Sequence, residues 1–199
     1  MPGIESLAFD LTDCSLHEQS DKHRGWMSSG GVGHMLRFSA NSPDWPFDLT
    51  NPDAATDFYG RQCANLGGAL LSMDVITVAG AEALRGLFKY HAPVPDSLAM
   101  YYSGILWLPF QSCSFQVNVE AMEEAPTGTR EAVVMVVERD SWPEYEDARL
   151  RLLPSDEERW DHSFPGHPLT RVRRRLAEVI ATARLDLGVT ALPPYRIDA

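Results

Sequence analysis

Cys113-Ser114-Phe115-Gln116-Val117-Asn118-Val119-Glu120-Ala121 alternates apolar and polar residues without a break. Successive side chains of a β-strand point to opposite faces, so Cys113, Phe115, Val117, Val119 and Ala121 line one face while Ser114, Gln116, Asn118 and Glu120 line the other. Such a strand belongs to an antiparallel sheet with one covered and one wetter side. Cys113, set among these apolar positions, reads as a small buried hydrophobe rather than a nucleophile.

Moving upstream, the same period continues through three further strands. Met100 to Leu108 carries bulky residues on both faces, so either helices cover both sides of the sheet or one side binds something. The segment Ala92-Pro93-Val94-Pro95-Asp96-Ser97 separates it from Leu84 to His91, because proline cannot donate to a sheet ladder. Ala79-Gly80-Ala81 supplies the next turn, and before it Leu71, Met73 and Val75 are expected on one face with Ser72 and Asp74 on the other. An antiparallel meander over residues 69–121 follows. A helix precedes it, with Asn51 as N-cap, Pro52 at the first helical position and Gly67-Gly68 at its end. Asn41 to Phe47 forms a turn whose rings pin to the core, and Met35 to Phe38 is the first expected strand. Residues 1–33, with Ser28-Ser29-Gly30-Gly31-Val32-Gly33, read as a flexible or loosely packed arm, leaving 34–199 as a single domain.

Downstream, Pro126 to Glu131 reads as a helix start with a hydroxyl cap, and Val133 to Val137 fits either a helical stripe or a buried strand. Glu144 to Trp160 is charged, contains Pro154 and reads as an irregular or short helical connection. The last helix begins at Pro168, buries Leu169, Val172, Leu176, Val179, Ile180 and Ala183 at helical spacing, and stops at Gly188. The tail from Val189, with Pro193-Pro194, is extended. The expected class is therefore α+β, a mainly antiparallel sheet packed by an N-terminal and a C-terminal helix.

The 199 residues, 44% of them hydrophobic, suffice for a core without staples. Seventeen Lys and Arg against 28 Asp and Glu give a net charge of −11, which opposes attraction to nucleic acid or anionic bilayers. Three separated cysteines form neither a disulfide framework nor a metal knuckle. No stretch approaches a membrane span, and no secretory signal pattern opens the chain, so a cytoplasmic protein without membrane insertion is expected.

Asp161, His162 and His167 are the candidates for a metal or acid–base cluster, since carboxylate and imidazole suit divalent transition metals. Their spacing, interrupted by Phe164-Pro165-Gly166, lacks a one-face helical geometry, and His167 stands where a helix needs a cap. The capping reading is preferred. No nucleophile elbow, P-loop or dinucleotide fingerprint is present, so no catalytic, cofactor-binding or metal role is assigned and no cofactor is expected. Tyr101, Tyr102 and Trp107 are candidates to line a partner groove, and Arg171, Arg174 and Arg175 to grip an acidic partner. The alternative for the arginines is pairing with residues 120–161, where acids number 13 and bases five.

The order of elements, with Val78 to Leu84 entering a strand, an aromatic strand after it and then Phe115-Gln116-Val117-Asn118-Val119, resembles the Mog1/PsbP-like (DcrB-like) superfamily over roughly residues 35–186. The arm and the charged stretch around Glu144 depart from that pattern. The resemblance implies a non-enzymatic accessory protein, an adaptor or chaperone that binds another protein in a bacterial cytoplasm. It carries over no catalytic residues. An immunity protein whose acidity suits a basic toxin, and a metal-dependent enzyme using the Asp161, His162 and His167 loop, are the competing expectations.

Overall fold

Ala79 and Gly80 both adopt positive φ, 49° and 83°, the backbone of a two-residue turn whose twist matches the strands it joins. They link β5 (Gly68–Val78) to β6 (Ala81–His91), followed by β7 (Met100–Pro109) and β8 (Ser114–Met122). The computed structural model describes residues 1–142 and 152–197. Before the meander come the short β1 (Leu7–Ala8), then β2 (Cys14–Gln19), β3 (His23–Ser28), β4 (Gly33–Ser39) and helix α1 (Pro52–Asn65). After it come α2 (Thr129–Val137), α3 (Pro168–Thr182), β9 (Arg184–Leu185) and α4 (Leu187–Thr190). The protein is α+β, built on a seven-stranded sheet in the order β2-β3-β4-β8-β7-β6-β5 with every neighbouring pair antiparallel.

Two apolar clusters lie on opposite faces of this sheet. On one face Leu36, Leu87, Leu106, Phe115, Val117 and Val119 pack against Leu169, Val172, Leu176 and Val179 of α3. Gly104 makes the approach possible, because a Cβ there would stand 3.0 Å from both Leu176 Cδ2 and Val172 Cγ1. On the other face Ala55 and Cys63 of α1 join Phe47, Leu84, Phe88 and Trp107. The Asn51 side chain accepts a hydrogen bond from Ala54 N, capping α1 as the sequence implied. Trp45 stacks on Phe47 with centroids 5.1 Å apart, and its indole donates to Tyr59 OH. Behind β8, Gln116, Asn118 and Glu120 form a polar ladder through hydrogen bonds of 2.7 and 2.9 Å.

Several expectations are corrected. Residues 14–28, read as part of an arm, supply β2 and β3. β2 pairs with β3 across a short turn and β3 with β4, and the polar composition of Cys14–Gln19 conceals the first of these strands. Leu71 does not share a face with Met73 and Val75. A register shift between Leu70 and Ser72 sends Leu71 to the α3-side cluster and Leu70, Met73 and Val75 to the other. Val133 to Val137 is helix rather than strand, and α2 starts on Gly128 at φ 71° without a side-chain cap. The Thr129 hydroxyl donates to Pro126 O instead. The last long helix ends at Thr182, so Gly188 lies inside α4 rather than stopping α3. Pro154–Asp156 and Glu158–Trp160 are 3-10 turns, while residues 143–151 of the expected connection fall outside the described residues.

Replacing Leu176 with Ala should lower stability by about 2–5 kcal/mol, through lost burial and a residual cavity under α3. Gly104→Val should act at the same contact by forcing α3 off the sheet. Chemical denaturation of both variants measures it. A Gly104→Val protein as stable as the parent would refute the close approach.

Candidate functional site

At one end of the α3-covered face the inward positions turn from apolar to polar. The alternation that buries Leu87 places Lys89 inward on β6, and the alternation that buries Val119 and Ala121 carries on to Glu123. Lys89 and Tyr102 are cross-strand partners, Tyr102 faces Ala121, and Glu123 N continues the ladder to Met100 O. Lys89 and Tyr102 are thus neighbours in one cross-strand row, and Glu123, one inward position beyond Tyr102's partner Ala121, follows the end of β8 on the same face. α2, the turns after it and the start of α3 close over that row.

Arg130 of α2 is completely buried. Its Nε donates to Ser155 O at 2.6 Å, Nη1 to Asp161 Oδ1 and Thr170 Oγ1, and Nη2 to Glu157 O. Asp161 also receives Arg173 Nη1 at 2.9 Å. Deeper in, Lys89 Nζ meets Asp156 Oδ2 at 2.5 Å, and the same carboxylate accepts from Leu153 N. Every buried cation here has a buried anion or carbonyl, the condition under which charge is tolerated away from water.

Beside these pairs lies a group with a different character. Glu123, Glu131 and His167 bring their ligating atoms within 4.8 Å of one another, the one such set of three among the described residues. Glu123 accepts from Met100 N at 2.9 Å and Gly128 N at 3.2 Å. Glu131 Oε1 stands 3.5 Å from the Tyr102 hydroxyl, while its buried Oε2 has no hydrogen-bond partner. His167 caps α3, its Nδ1 accepting from Leu169 N at 3.3 Å. Its Nε2 lies 3.4 Å from Glu123 Oε1, within ion-pair range but outside hydrogen-bond geometry. The Tyr102 ring meets the imidazole edge to face at 5.4 Å. A surface cleft of about 190 Å³ bounded by Glu123, Thr129, His167 and Arg171 opens beside the group.

The two carboxyls titrate in opposite directions. Burial pushes Glu123 up, yet the His167 contact and the Met100 and Gly128 amides outweigh it and hold the group below its ordinary range. Burial raises Glu131, and the neighbouring Glu123 and Asp156 charges add to the effect. Burial and the surrounding carboxylates also drive the Tyr102 phenol well above its usual value.

The residues proposed from sequence are scattered. Tyr102 is buried in the seam, Trp107 lies under α1 stacked 4.7 Å from Tyr59, and Tyr101 is half-buried and bonded to Glu120. Arg171 donates to Gly30 O, Arg175 pairs with Asp13 and Glu178, and Arg174 is exposed 3.9 Å from Glu178. These six do not share a surface. Internal pairing with the acids of residues 120–161 belongs to Arg173 and Arg130, whereas Arg171 and Arg175 hold the N-terminal segment. Asp161, His162 and His167 do not assemble either. Asp161 is consumed by two arginines and a threonine, and exposed His162 reaches Ser163 and no other side chain among the described residues. Sequence reading missed Lys89, Glu123 and Asp156. For the first two a signal existed, a charge at an inward position of an otherwise apolar face.

No protein-family model and no curated protein matches the chain. Among solved structures it is similar to a crystal structure of a protein from Bacteroides thetaiotaomicron VPI-5482, at 7% identity and a TM-score of 0.41. That likeness covers 66% of this chain and 43% of the other, so the chain spans less than half the length of that neighbour.

Lys89→Ala should cost roughly 3–5 kcal/mol by stranding the Asp156 charge, and the double replacement Lys89→Met with Asp156→Leu should recover most of it. Denaturant midpoints of the two proteins decide this, and a double variant no better than the single one would refute an isolated pair. The raised Glu131 carboxyl favours folding below the ordinary glutamate range and loses that contribution as pH rises through its folded value. Glu131→Gln, a neutral stand-in, should therefore gain stability relative to the parent as pH moves from acid to neutral in chelator. Melting curves across that range should show the gap widening.

Proposed function

We propose that the protein is a non-enzymatic accessory protein that binds another protein through α2, acting as an adaptor or chaperone in a cytoplasm. The observation that carries this reading is the outer face of that helix. Val136 and Val137 are 75% and 62% exposed, and Val133 and Met135 lie open beside them. Val133, Val136 and Val137 share one helical stripe. Leu152 adds another exposed apolar side chain to the molecule's surface. Contiguous apolar surface edged by charge is the usual mark of a protein-binding face.

At the C-terminal end of α2 stand Glu138 and Asp140 with Arg139 as the opposing charge, and Arg159 brings Glu157 beside Glu138. Arg159 is already paired with Glu138 and Glu157. The surplus is acidic, in keeping with the net charge of −11. The partner therefore presents an apolar patch with a basic rim. Among the described residues no helix is long and apolar enough to cross a membrane.

Val136→Asp should leave melting nearly unchanged, within about 0.5 kcal/mol, because the side chain is outside the core. The same change should reduce recovery of the partner that copurifies with the parent by more than about tenfold, the loss that follows when a charge is set in an interface centre. Affinity purification from the source cells, then titration with the purified partner, makes the measurement. Undiminished binding by a well-folded Val136→Asp protein would refute α2 as the docking element.

A further inference from the structure

We infer that Glu123, Glu131 and His167 form a binding site for a divalent transition metal of zinc type, joining the end of β8, α2 and the N-terminus of α3. The donor set is two carboxylates and one imidazole, the chemistry that zinc, manganese and iron accept in three-ligand protein sites. Unlike a surface acidic cluster, this set is sunk in the seam. The side chains of His167 and Glu123 are 8% and 4% exposed.

Two buried atoms in it lack a hydrogen bond, Glu131 Oε2 and His167 Nε2. Buried polar atoms are ordinarily satisfied, and two orphans facing a third ligand within 4.8 Å call for a shared partner. Tetrahedral ligands held at about 2.0–2.1 Å from zinc stand about 3.4 Å apart. The His167 Nε2 to Glu123 Oε1 separation already has that value, 3.4 Å, so Glu131 supplies most of the closure.

The outer contacts suit the role. Met100 N and Gly128 N orient Glu123, and the Tyr102 hydroxyl lies beside the other oxygen of Glu131. Such partners fix the direction of first ligands. Three protein donors leave a fourth position for water. The cleft beside Glu123 and His167 supplies the route, with Glu124 among its lining residues.

Loading has a specific consequence at α3. Without metal, the Leu169 N–H directed at Nδ1 places the proton of a neutral imidazole on Nε2. A cation on Nε2 requires that proton on Nδ1, so Leu169 N loses its acceptor. Metal binding should thus be visible at the Leu169 amide.

The test uses the full chain, free of any tag, stripped with chelator and titrated with Zn2+ or Co2+. Calorimetry should give one ion per chain, and Co2+ should develop the visible bands of a low-coordinate site. Glu131→Gln and His167→Asn, the latter chosen because asparagine also caps helices, should each weaken binding by more than about 100-fold, exceeding the loss that outer partners produce. His162→Ala should bind as the parent does. Cooperative melting of both metal-free variants, at or above the parent's temperature for Glu131→Gln, confirms that the fold survives. The Leu169 amide resonance should move on zinc addition. Equal binding by parent and both ligand variants, loss of binding in His162→Ala, or no stoichiometric uptake by the folded parent would each overturn the assignment.

Discussion

The side chain of Arg130 decides how the upper half of this molecule is assembled. An arginine without exposure must place its donors on acceptors, and it does so on Ser155 O, Glu157 O, Asp161 and Thr170. These lie on the segment after α2 and on α3, so one guanidinium holds three parts of the chain against the sheet. The apolar contribution of α2 is small, since Val134 is its one buried apolar residue. A helix with so little apolar footing is positioned by polar geometry. Its placement is specific because each donor has a single direction in which it is satisfied.

The lower half obeys a different rule. Around Gly104, Val172 and Leu176 the α3 face is held by contact between apolar side chains. There a volume change costs energy but no charge is stranded. The four arginines of α3 then divide by direction. Arg173 turns into the seam towards Asp161 and Asp156 O, Arg171 and Arg175 reach the N-terminal segment, and Arg174 remains outside. One amphipathic helix therefore joins the hydrophobic core, the buried polar layer and the β2–β3 hairpin.

The legible parts of the fold were those whose cause is local. The alternation of Cys113 to Ala121, the Asn51-Pro52 cap and the Ala79-Gly80 reversal each depend on neighbours in the chain, and each is present. What escaped lies in how strands pair rather than in the pattern of any one segment. Cys14–Gln19 becomes a strand because β3 offers it an edge, and Leu71 changes face because the ladder with β6 slips by one residue. At the candidate site, Glu123 was legible in principle, being the next inward position after Ala121. His167 was legible as a cap. Its meeting with Glu131 was not, because the two stand 36 positions apart in different elements. The partners of Asp161 were hidden for the same reason, Arg130 and Arg173 being brought to it by tertiary packing.

α2 unites the two functional proposals physically. Its inner side carries Arg130 and Glu131 into the polar seam, and its outer side carries Val133, Val136 and Val137 to solvent. Glu131 is the member of the seam whose charge is least favoured, raised by burial and by the carboxylates around it. A proton or a cation at that point relieves the same unfavourable charge. Because Val134 alone anchors the helix by apolar contact, the free energy that fixes its outer face comes largely from those polar partners. The valine face and the polar seam thus sit on opposite sides of one short helix, so the contacts that seat the inner side also set the direction of the outer one.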